Sequence, residues 1–232
     1  MSSGTLPEGQ VRVMFDRIAR VYDRMNSVMT GGLDRRWRER AADLARVGPG
    51  SKALDVATGT GDLAIELERR GAEVTGLDFS DEMLSLAHAK SPGIAWLAGN
   101  ALRLPFGDDE FAAATVGFGA RNFDDLGRGL REMARVVRPG GRVVVLEITT
   151  PQRPPLSWFF GLWFGRVVPL LGRLAGDPEA YGYLPSSVRR FPGPEDLAGE
   201  LAACGLEDVR WVLTAGGIIA LHSGTVAAEA TR

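Results

Sequence analysis

Apolar residues near the start of the chain recur at every third or fourth position. These positions are Val11, Phe15, Ile18, Tyr22 and Met25. The spacing is that of one helical face, so it predicts helical structure over residues 10–46, with a break at the sequence TGG. The helix is expected to resume with Asp34 as its N-cap, because a short acidic side chain accepts hydrogen bonds from the first free N–H groups.

Between residues 51 and 150 the pattern changes to short apolar runs that alternate with helical runs. The apolar runs are KALDVA, AEVTGLDFS, GIAWLAGNA, FAAATVGFG and RVVVLEI. The helical runs are GDLAIELERRG, SDEMLSLAHAK and DDLGRGLREMARVVRPGG. The second is expected to begin after Ser80 as its N-cap, and the third to stop at Pro139-Gly140-Gly141. This alternation predicts an α/β fold with a doubly wound, mostly parallel sheet.

Two further strands are predicted near the end of the chain. They are LEDVRWVL and GIIALHSG, joined by TAGG. Four residues are too few for a parallel crossover, so these strands are expected to form an antiparallel hairpin.

The segment after the fifth apolar run is itself densely apolar. PPLSWFFGLWFGRVVPLLGRL, residues 154–174, is interrupted by Arg166, Pro169 and several glycines. A membrane-spanning helix needs about 20 uninterrupted apolar residues. A buried helix pair is therefore the favoured interpretation. The alternatives are a lid over an apolar ligand and a surface that inserts into a membrane.

Composition narrows the function classes. Of the 232 residues, 45% are hydrophobic and 24% charged, as in ordinary soluble globular proteins. A net charge of -2 argues against nucleic acid as a partner.

The single cysteine, Cys204, excludes an intrachain disulfide and a multi-cysteine metal site, and no metal is expected. The first ten residues lack the apolar core of a signal peptide, so a cytoplasmic protein is expected, with peripheral contact at the inner face of the membrane left open.

The stretch LDVATGTGD combines a glycine turn with two carboxylates. The turn, Gly59-Thr60-Gly61, begins the sequence GTGDLA, which matches the dinucleotide-binding pattern G-x-G-x-x-G/A. Asp78 ends the next predicted strand, at a distance suited to holding a ribose. However, Asp55 before the turn and Asp62 after it would repel the pyrophosphate of a dinucleotide.

A cationic ligand has the opposite preference. S-adenosylmethionine carries a sulfonium, an ammonium and no phosphate. Its ammonium is expected at Asp55, its ribose at Asp78 and its carboxylate at the free N–H groups of the turn. Asn100 and the N–H of Ala101 follow the third strand and suit an adenine edge, while Gly117, at the end of the fourth strand, lets a ligand approach the backbone.

These and other stretches carry a family resemblance that spans nearly the whole chain. The stretches are YDRMN, LDVATGTGD, GNALRLPF, FGARNFDD, RVVRPGGRVVVLEIT, YGYLPSSVRRFP and LTAGGIIALHSG. The chain resembles the demethylmenaquinone and ubiquinone C-methyltransferases. The glycine turn alone is shared by all methyltransferases of this wide class, whereas FG-x-RN and GIIALHSG are far more specific.

The resemblance implies the Rossmann-like fold of class I S-adenosylmethionine-dependent methyltransferases. It implies methyl transfer to the ring carbon of reduced demethylmenaquinone, a polyprenyl quinol, in the last step of menaquinone biosynthesis. Donor contacts are implied at Thr60, Asp78, Asn100 and Ala101, with Gly117 adjacent. Short loops like those of bacterial members favour menaquinone. The alternatives are the ubiquinone-pathway methylation and another small-molecule methyl transfer, to oxygen or nitrogen.

On this reading residues 1–232 form a single methyltransferase domain with four parts. They are a helical cap at 10–46, a cofactor-binding core at 51–150, a helical insert over the substrate site at 151–190, and a C-terminal helix with antiparallel strands at 191–224. Two positions depart from the family pattern. Ala120 replaces a larger residue and is expected to widen the pocket, and Asp34 precedes Arg35 where many members have a nearby histidine.

Three residues are candidates for the chemistry. Carbon methylation needs an electron-rich ring, which loss of a quinol hydroxyl proton provides. Arg121 is expected to stabilise the phenolate or to order a water that acts as base; its alternative is an ion pair with Asp124 or Asp125. Asn122 is expected to fix nearby hydroxyls. His222 is a candidate general base because histidine titrates near neutral pH, and its alternative is a packed side chain.

Aromatic residues are candidates for the substrate site. Those expected at its mouth are Tyr22, Trp163, Tyr181 and Tyr183. Those expected to grip the polyprenyl tail are Trp158, Phe159, Phe160, Trp163 and Phe164. The alternative for the tyrosines is a core position with a bonded hydroxyl.

Other function classes and the oligomeric state stay open. A nicotinamide oxidoreductase is disfavoured by Asp55 and Asp62. A non-catalytic module that binds adenosylmethionine or lipid is the rival from another class. A homodimer is one of the assemblies considered.

Overall fold

A computed structural model describes residues 8–151, 154–168, 170 and 178–228, without the side chains of residues 8 and 178–181. Within these residues seven strands form one sheet in the order β3-β2-β1-β4-β5-β7-β6. The strands are β1 (Lys52–Val56), β2 (Glu73–Asp78), β3 (Ala95–Ala98), β4 (Phe111–Gly117), β5 (Val137–Ile148), β6 (Leu206–Thr214) and β7 (Ile219–Val226). The first five pair in parallel, and β7 pairs antiparallel with both β5 and β6. The predicted sheet and its C-terminal hairpin are confirmed.

Helices cover both faces and the carboxyl edge of this sheet. They are α1 (Glu8–Thr30), α2 (Leu33–Ala45), α3 (Asp62–Glu68), α4 (Asp81–Lys90), α5 (Leu126–Val136), α6 (Leu156–Leu162), α7 (Pro178–Arg190) and α8 (Pro194–Ala203). A π-helical turn, Trp163–Val167, continues α6. As predicted, Ser80 caps α4, and its hydroxyl accepts a hydrogen bond from the N–H of Met83 at 3.1 Å.

The N-cap predicted at Asp34 is wrong. Helix α2 begins at Leu33, directly after Gly32, whose φ of 77° is left-handed. Asp34 therefore lies inside the first turn, where its carboxylate accepts hydrogen bonds from Thr30 Oγ1 at 2.9 Å and from Arg38 Nη1. The Asp34 side chain therefore pairs with Arg38, one turn further along α2, instead of capping the N-terminus of the helix.

The end predicted for the fifth helix is also displaced. Helix α5 stops at Val136, three residues before the Pro-Gly-Gly sequence. Val137 already pairs with Phe111 as the first residue of β5. Val137 and Phe111 are both buried in the core, so residue 137 pairs with β4 instead of continuing the helix.

Alternation along β1 explains where its acid lies. Leu54 and Val56 join the hydrophobic cluster that contains residues of α5 and α8. Ala53 joins the cluster on the other face, with residues of α2 and α3 such as Leu67. Asp55 follows Ala53 by two residues, so it points toward the α2 and α3 face near the carboxyl end of the strand.

A third cluster joins the N-terminal helix to the insert. Its buried members are Val11, Met14, Ile18, Val168 and Tyr183. The favoured interpretation of residues 154–174 as a buried helix pair is only half right. Phe160 is buried and stacks on Phe164 with 4.2 Å between ring centroids, but Trp158 is 74% exposed and Phe159 53%. Residues 171–174 lie outside the described residues, and no described helix has the length and apolar content to cross a bilayer.

Candidate active site

A cleft opens at the carboxyl ends of β1, β2 and β4, where ligands bind in open α/β sheets. Its lining includes residues predicted to hold a cofactor. These are Asp55, Gly59, Thr60, Asp78, Asn100, Ala101 and Gly117. The segments after β1, β2 and β3 and the end of β4 thus bring together residues that lie up to 62 positions apart in the sequence.

Asp55 forms the floor of the cleft and is held in one orientation. It is 1% exposed. Its Oδ1 accepts a hydrogen bond from Thr115 Oγ1 and its Oδ2 one from Thr58 Oγ1, both at 2.6 Å. Burial raises the pKa of this carboxyl group to about 6, against the lowering effect of the two hydroxyls and of Arg38. The group is a fixed anion at neutral pH.

Asp78 is the second buried acid, and it uses the glycine turn. Its Oδ2 accepts a hydrogen bond from the N–H of Gly59 at 2.8 Å, and its Oδ1 one from the N–H of Ser80 at 2.9 Å. The N–H of Gly61 donates to the carbonyl of Thr58 at 3.0 Å. Burial raises the pKa of Asp78, against these backbone hydrogen bonds. The donor carboxylate was expected at the free N–H groups of the turn, and those of Gly59 and Gly61 are not free.

Gly61 has a packing role that the sequence pattern does not reveal. Its φ of 84° is left-handed. A Cβ on it would lie 2.5 Å from the ring of Trp96. The turn therefore packs directly on the indole, whereas a Cβ on Gly59 would meet nothing within 4 Å.

Helix α1 closes one side of the cleft with polar contacts that sequence analysis missed. Asp23 Oδ1 accepts a hydrogen bond from Thr60 Oγ1 at 2.6 Å. Lys90 Nζ lies 2.6 Å from the other oxygen of Asp23 and 2.7 Å from Asp62 Oδ1. The sequence separation of 37 residues between Asp23 and Thr60 leaves no local signal for this contact.

Arg38 is the second functional candidate that was missed. It lines the cleft from α2 and is 7% exposed. Its Nη1 donates to Asp34, and its guanidinium carbon lies 5.4 Å from the centre of the Phe118 ring. Burial lowers the pKa of Arg38, but Asp62 and Asp34 outweigh it and the net direction is upward. An aspartate four residues before an arginine, on the same helix face, was the available sequence signal.

Asn122 lies on the opposite wall of the cleft and is hydrogen-bonded to Tyr183 of the third hydrophobic cluster. Asn122 lines the cleft from a short 3₁₀ turn, Ala120–Asn122, and its Oδ1 accepts a hydrogen bond from the hydroxyl of Tyr183 at 3.2 Å. The guanidinium of Arg190 lies 5.8 Å from the centre of the Tyr183 ring. Burial raises the pKa of Tyr183, so the hydroxyl remains a donor at neutral pH.

Arg121 pairs with a residue that sequence analysis did not consider. Its Nη1 donates to Glu147 Oε1 and to the carbonyl of Phe118, both at 2.6 Å. The alternative pairing with Asp124 or Asp125 is therefore wrong. Among the described residues, Arg121 Nε and Glu147 Oε2 have no hydrogen-bond partner. Burial raises the pKa of Glu147 to about 7, against the lowering effect of Arg121.

His222 does not lie at the cleft wall. It is fully buried in β7, with Nε2 2.8 Å from the carbonyl of Pro194 and its ring stacked on Trp211 at 6.0 Å between centroids. Burial lowers its pKa. This geometry matches the alternative of a packed histidine, which ties β7 to the start of α8.

The aromatic candidates divide between the cleft and the third hydrophobic cluster. Tyr22 lines the cleft and belongs to that cluster, as does Phe15. Trp163 packs against the cluster and stacks on Phe159 with 5.8 Å between centroids. The side chain of Tyr181 lies outside the described residues. An apolar region thus adjoins the polar cleft.

Comparison with known proteins decides the family. The model of the ubiE/COQ5 methyltransferase family matches residues 4–226. The chain belongs to this family. A demethylmenaquinone methyltransferase of Thermus thermophilus is 45% identical over 91% of this chain and 99% of its own. One from Corynebacterium kroppenstedtii is 43% identical over 93% of this chain and 94% of its own.

Solved structures similar to this ubiE/COQ5-family chain share its fold at low identity. The cyclase SpnF has a TM-score of 0.73 at 18% identity, over 98% of this chain and 99% of its own. A methyltransferase from Thermotoga maritima has a TM-score of 0.66 at 19% identity, over 92% and 98%. The likeness to a cyclase illustrates that this fold does not by itself fix the reaction.

The residues of this family member fit a methyl donor that carries positive charge. Two buried carboxylates, Asp55 and Asp78, face the space beside the turn. A pyrophosphate would meet both, with little solvent to screen the repulsion. Within the described residues, no group of three or more His, Cys, Asp or Glu side chains is arranged to hold a metal ion.

One expectation drawn from the family pattern is wrong. Ala120 does not line the cleft; it lies in the core cluster that contains Val116 and Leu130, so its small side chain opens no space in the cleft lining. Its small side chain is accommodated by packing behind the cleft wall.

Proposed function

We propose that this protein transfers a methyl group from S-adenosylmethionine to the ring carbon of reduced demethylmenaquinone, yielding menaquinol. The observation that carries the proposal is the pair of buried carboxylates, Asp55 and Asp78, in the cleft of a ubiE/COQ5-family chain. They favour a cationic donor and oppose a pyrophosphate cofactor. The curated relatives bear the name of demethylmenaquinone methyltransferase, which supports the choice of acceptor.

On this proposal the cleft residues hold the donor. When bound, S-adenosylmethionine supplies an electrophilic methyl group on a sulfonium. Asp55 attracts the ammonium of the donor, and Asp78 retains lone pairs for ribose hydroxyls while its two backbone hydrogen bonds keep it in place. Asn100 and Ala101 lie at the adenine end, where an amide side chain and a backbone N–H suit a base edge.

The opposite wall handles the acceptor. A quinol hydroxyl must lose its proton for the ring carbon to become a strong nucleophile. Asn122 and the hydroxyl of Tyr183 are joined by a hydrogen bond and orient the quinol oxygens. Arg121 lies outside the described lining of the cleft, next to Asn122; its positive charge stabilises the phenolate, and Glu147 fixes its guanidinium. Orientation of two reactants in a water-excluding site lowers a barrier by several kcal/mol, on the order of 7–11 in favourable cases.

Removal of Arg121 tests this part of the proposal. In Arg121→Ala the methylation rate is expected to fall by about 10²–10³, the usual effect of losing one positioned donor. Isothermal titration should still detect donor binding. Arg128→Ala removes an exposed arginine of the following helix and is the matched control. Since Arg121→Ala leaves Glu147 buried without its partner, Arg121→Lys provides a second, charge-retaining variant. Full activity in either variant that binds donor would reject the assignment.

One assay tests the proposed reaction as a whole. Purified protein, labelled adenosylmethionine and chemically reduced demethylmenaquinone are combined, with the ubiquinone precursor in a parallel reaction. Label in menaquinol is expected. Label only in the ubiquinone product would move the protein to the other branch of the family. Thermal stabilisation by NAD but not by adenosylmethionine would overturn the proposal.

The exposed side of the insert supports contact with the membrane that holds the polyprenyl substrate. Trp158, Phe159 and Leu162 are more than half exposed on α6, while Phe160 packs inward. Amphipathic aromatic surfaces of this kind insert into the headgroup region of bilayers. Replacement of Trp158 and Phe159 by serine is expected to reduce co-sedimentation with phospholipid vesicles, whereas Leu97→Ser on β3 should not. Equal sedimentation of both variants would contradict the proposal.

The free edge of the sheet supports a homodimer. Strand β6 ends the sheet and exposes Trp211, Val212 and Leu213. An exposed apolar edge strand is a ready template for pairing with another chain. Light scattering is expected to give twice the chain mass for the wild type and the chain mass for Val212→Lys. A monomeric wild type at micromolar concentration would reject this assembly.

A further inference from the structure

One positively charged side chain lies among the acids that line the cleft. Of the described residues that line it, Asp55, Asp62, Asp78 and Asp124 are acidic, and Arg38 is the only arginine or lysine. A cleft for a cationic donor would bind it better without this cation, unless the arginine meets a negative part of the ligand.

The geometry of Arg38 leaves donors available toward the cleft. Its Nη1 is engaged by Asp34. Its Nη2 lies 3.8 Å from Asp62 Oδ2, beyond hydrogen-bond distance. No described residue accepts a hydrogen bond from Nη2 or Nε. The ring of Phe118 covers one face of the guanidinium, so its plane is fixed while part of its donor edge remains open.

Two of the three N–H groups in the glycine turn are not available to a ligand carboxylate. The N–H of Gly59 is taken by Asp78, and that of Gly61 by the carbonyl of Thr58. A carboxylate placed beside buried Asp55 is repelled by it, so a nearby cation would stabilise the carboxylate. Arginine suits this role because its planar fork donates to both oxygens of a carboxylate.

We propose that Arg38 binds the α-carboxylate of the methyl donor and that Asp34 positions it for this contact. The inference rests on the proposed function, which puts S-adenosylmethionine in this cleft. Arg38 and Asp55 then divide the amino-acid end of the donor between them, the arginine taking the carboxylate and the aspartate the ammonium. A donor analogue without the carboxylate gains nothing from Arg38 and is repelled by it.

Calorimetric binding of two ligands tests the assignment. The ligands are S-adenosylmethionine and its decarboxylated form, which keeps the sulfonium and the ammonium. Arg38→Met is expected to weaken binding of S-adenosylmethionine 10- to 100-fold and to leave binding of the decarboxylated ligand unchanged or tighter. Arg35→Met, on the exposed side of the same helix beside Glu39, is the control and should alter neither affinity.

The outcomes separate this inference from the proposed function. Equal weakening of both ligands would make Arg38 a purely structural residue, and an unchanged affinity for S-adenosylmethionine would exclude the contact; either result overturns the inference. If Arg38→Met does not fold, Arg38→Lys is used, which should lose about 10-fold for S-adenosylmethionine alone. Failure of the wild type to bind S-adenosylmethionine would instead overturn the proposed function.

Discussion

The buried pair of Arg121 and Glu147 predicts an unusual dependence of stability on pH. The perturbation is Glu147→Gln, which keeps the shape of the side chain and an oxygen that accepts the hydrogen bond from Arg121. It removes the ability of this position to gain or lose a proton. The comparison of wild type and variant therefore isolates the titration of one carboxyl group.

The magnitude follows from the pKa of Glu147. Burial raises it from 4.5 to about 7 in the folded protein. Between these values the folded state retains a proton that the unfolded chain has lost, so the free energy of unfolding falls as pH rises. A shift of this size corresponds to about 3 kcal/mol. The free energy of unfolding of Glu147→Gln, relative to wild type, should therefore rise by about 2–3 kcal/mol between pH 5 and pH 8.

Urea unfolding at pH 5, 6, 7 and 8 measures this difference. Other titrating groups such as Asp55 are present in both proteins, so their effects cancel in the comparison. Glu207→Gln, an exposed substitution on β6, should show the same pH profile as wild type. Parallel profiles for wild type and Glu147→Gln would refute the reasoning, because they would mean that Arg121 keeps Glu147 ionised throughout.

Three more predictions concern single cleft and core positions. Gly61→Ala puts a Cβ against Trp96 at a left-handed φ, and thermal unfolding should show a loss of about 1–3 kcal/mol; an unchanged midpoint would contradict this. His222→Gln disturbs the hydrogen bond to Pro194 and should lower the midpoint of thermal unfolding, while kcat stays within about two-fold of the wild-type value. A hundred-fold loss of kcat in a folded variant would restore the general-base hypothesis. Asp55 has a pKa of about 6, so the affinity of the wild type for adenosylmethionine should fall as the pH drops through 6. Calorimetric titration of Asp55→Asn should show binding that is weaker and independent of pH. A pH dependence that persists in this variant would implicate another group.

Local patterns were sufficient to predict that the candidate donor residues meet in one cleft. Asp55, the glycine turn and Asp78 each sit at the end of a predicted strand, and parallel strands bring such ends to one edge. Their positions follow from the alternation of side chains along a strand and from the residue preferences of turns, both of which depend only on neighbouring residues. Asn100 and Gly117 were predicted on the same grounds.

The remaining site residues depend on contacts between distant elements. Asp23 meets Thr60 because α1 crosses the carboxyl edge of the sheet, and the angle of that crossing is set by apolar packing. Glu147 ends an apolar strand and pairs with Arg121, 26 residues earlier. Strand alternation predicts which side of the sheet Glu147 faces, but not which residue it meets. For the same reason the sequence does not reveal the contact between His222 and Pro194, which places this histidine in the core and not in the cleft.

The acids of the cleft also bear on turnover. Methyl transfer removes the sulfonium charge of the donor, while the carboxylates of Asp55 and Asp78 stay fixed by their hydrogen bonds. Attraction between a buried anion and a cation is strong because little water screens it. The sulfonium part of that attraction is lost when the donor becomes neutral at sulfur, whereas the ammonium proposed to meet Asp55 and the ribose proposed to meet Asp78 are unchanged. On the proposed assignment, the two buried carboxylates therefore distinguish donor from spent product only through the sulfonium charge, and the difference in affinity between the two ligands measures that single contribution.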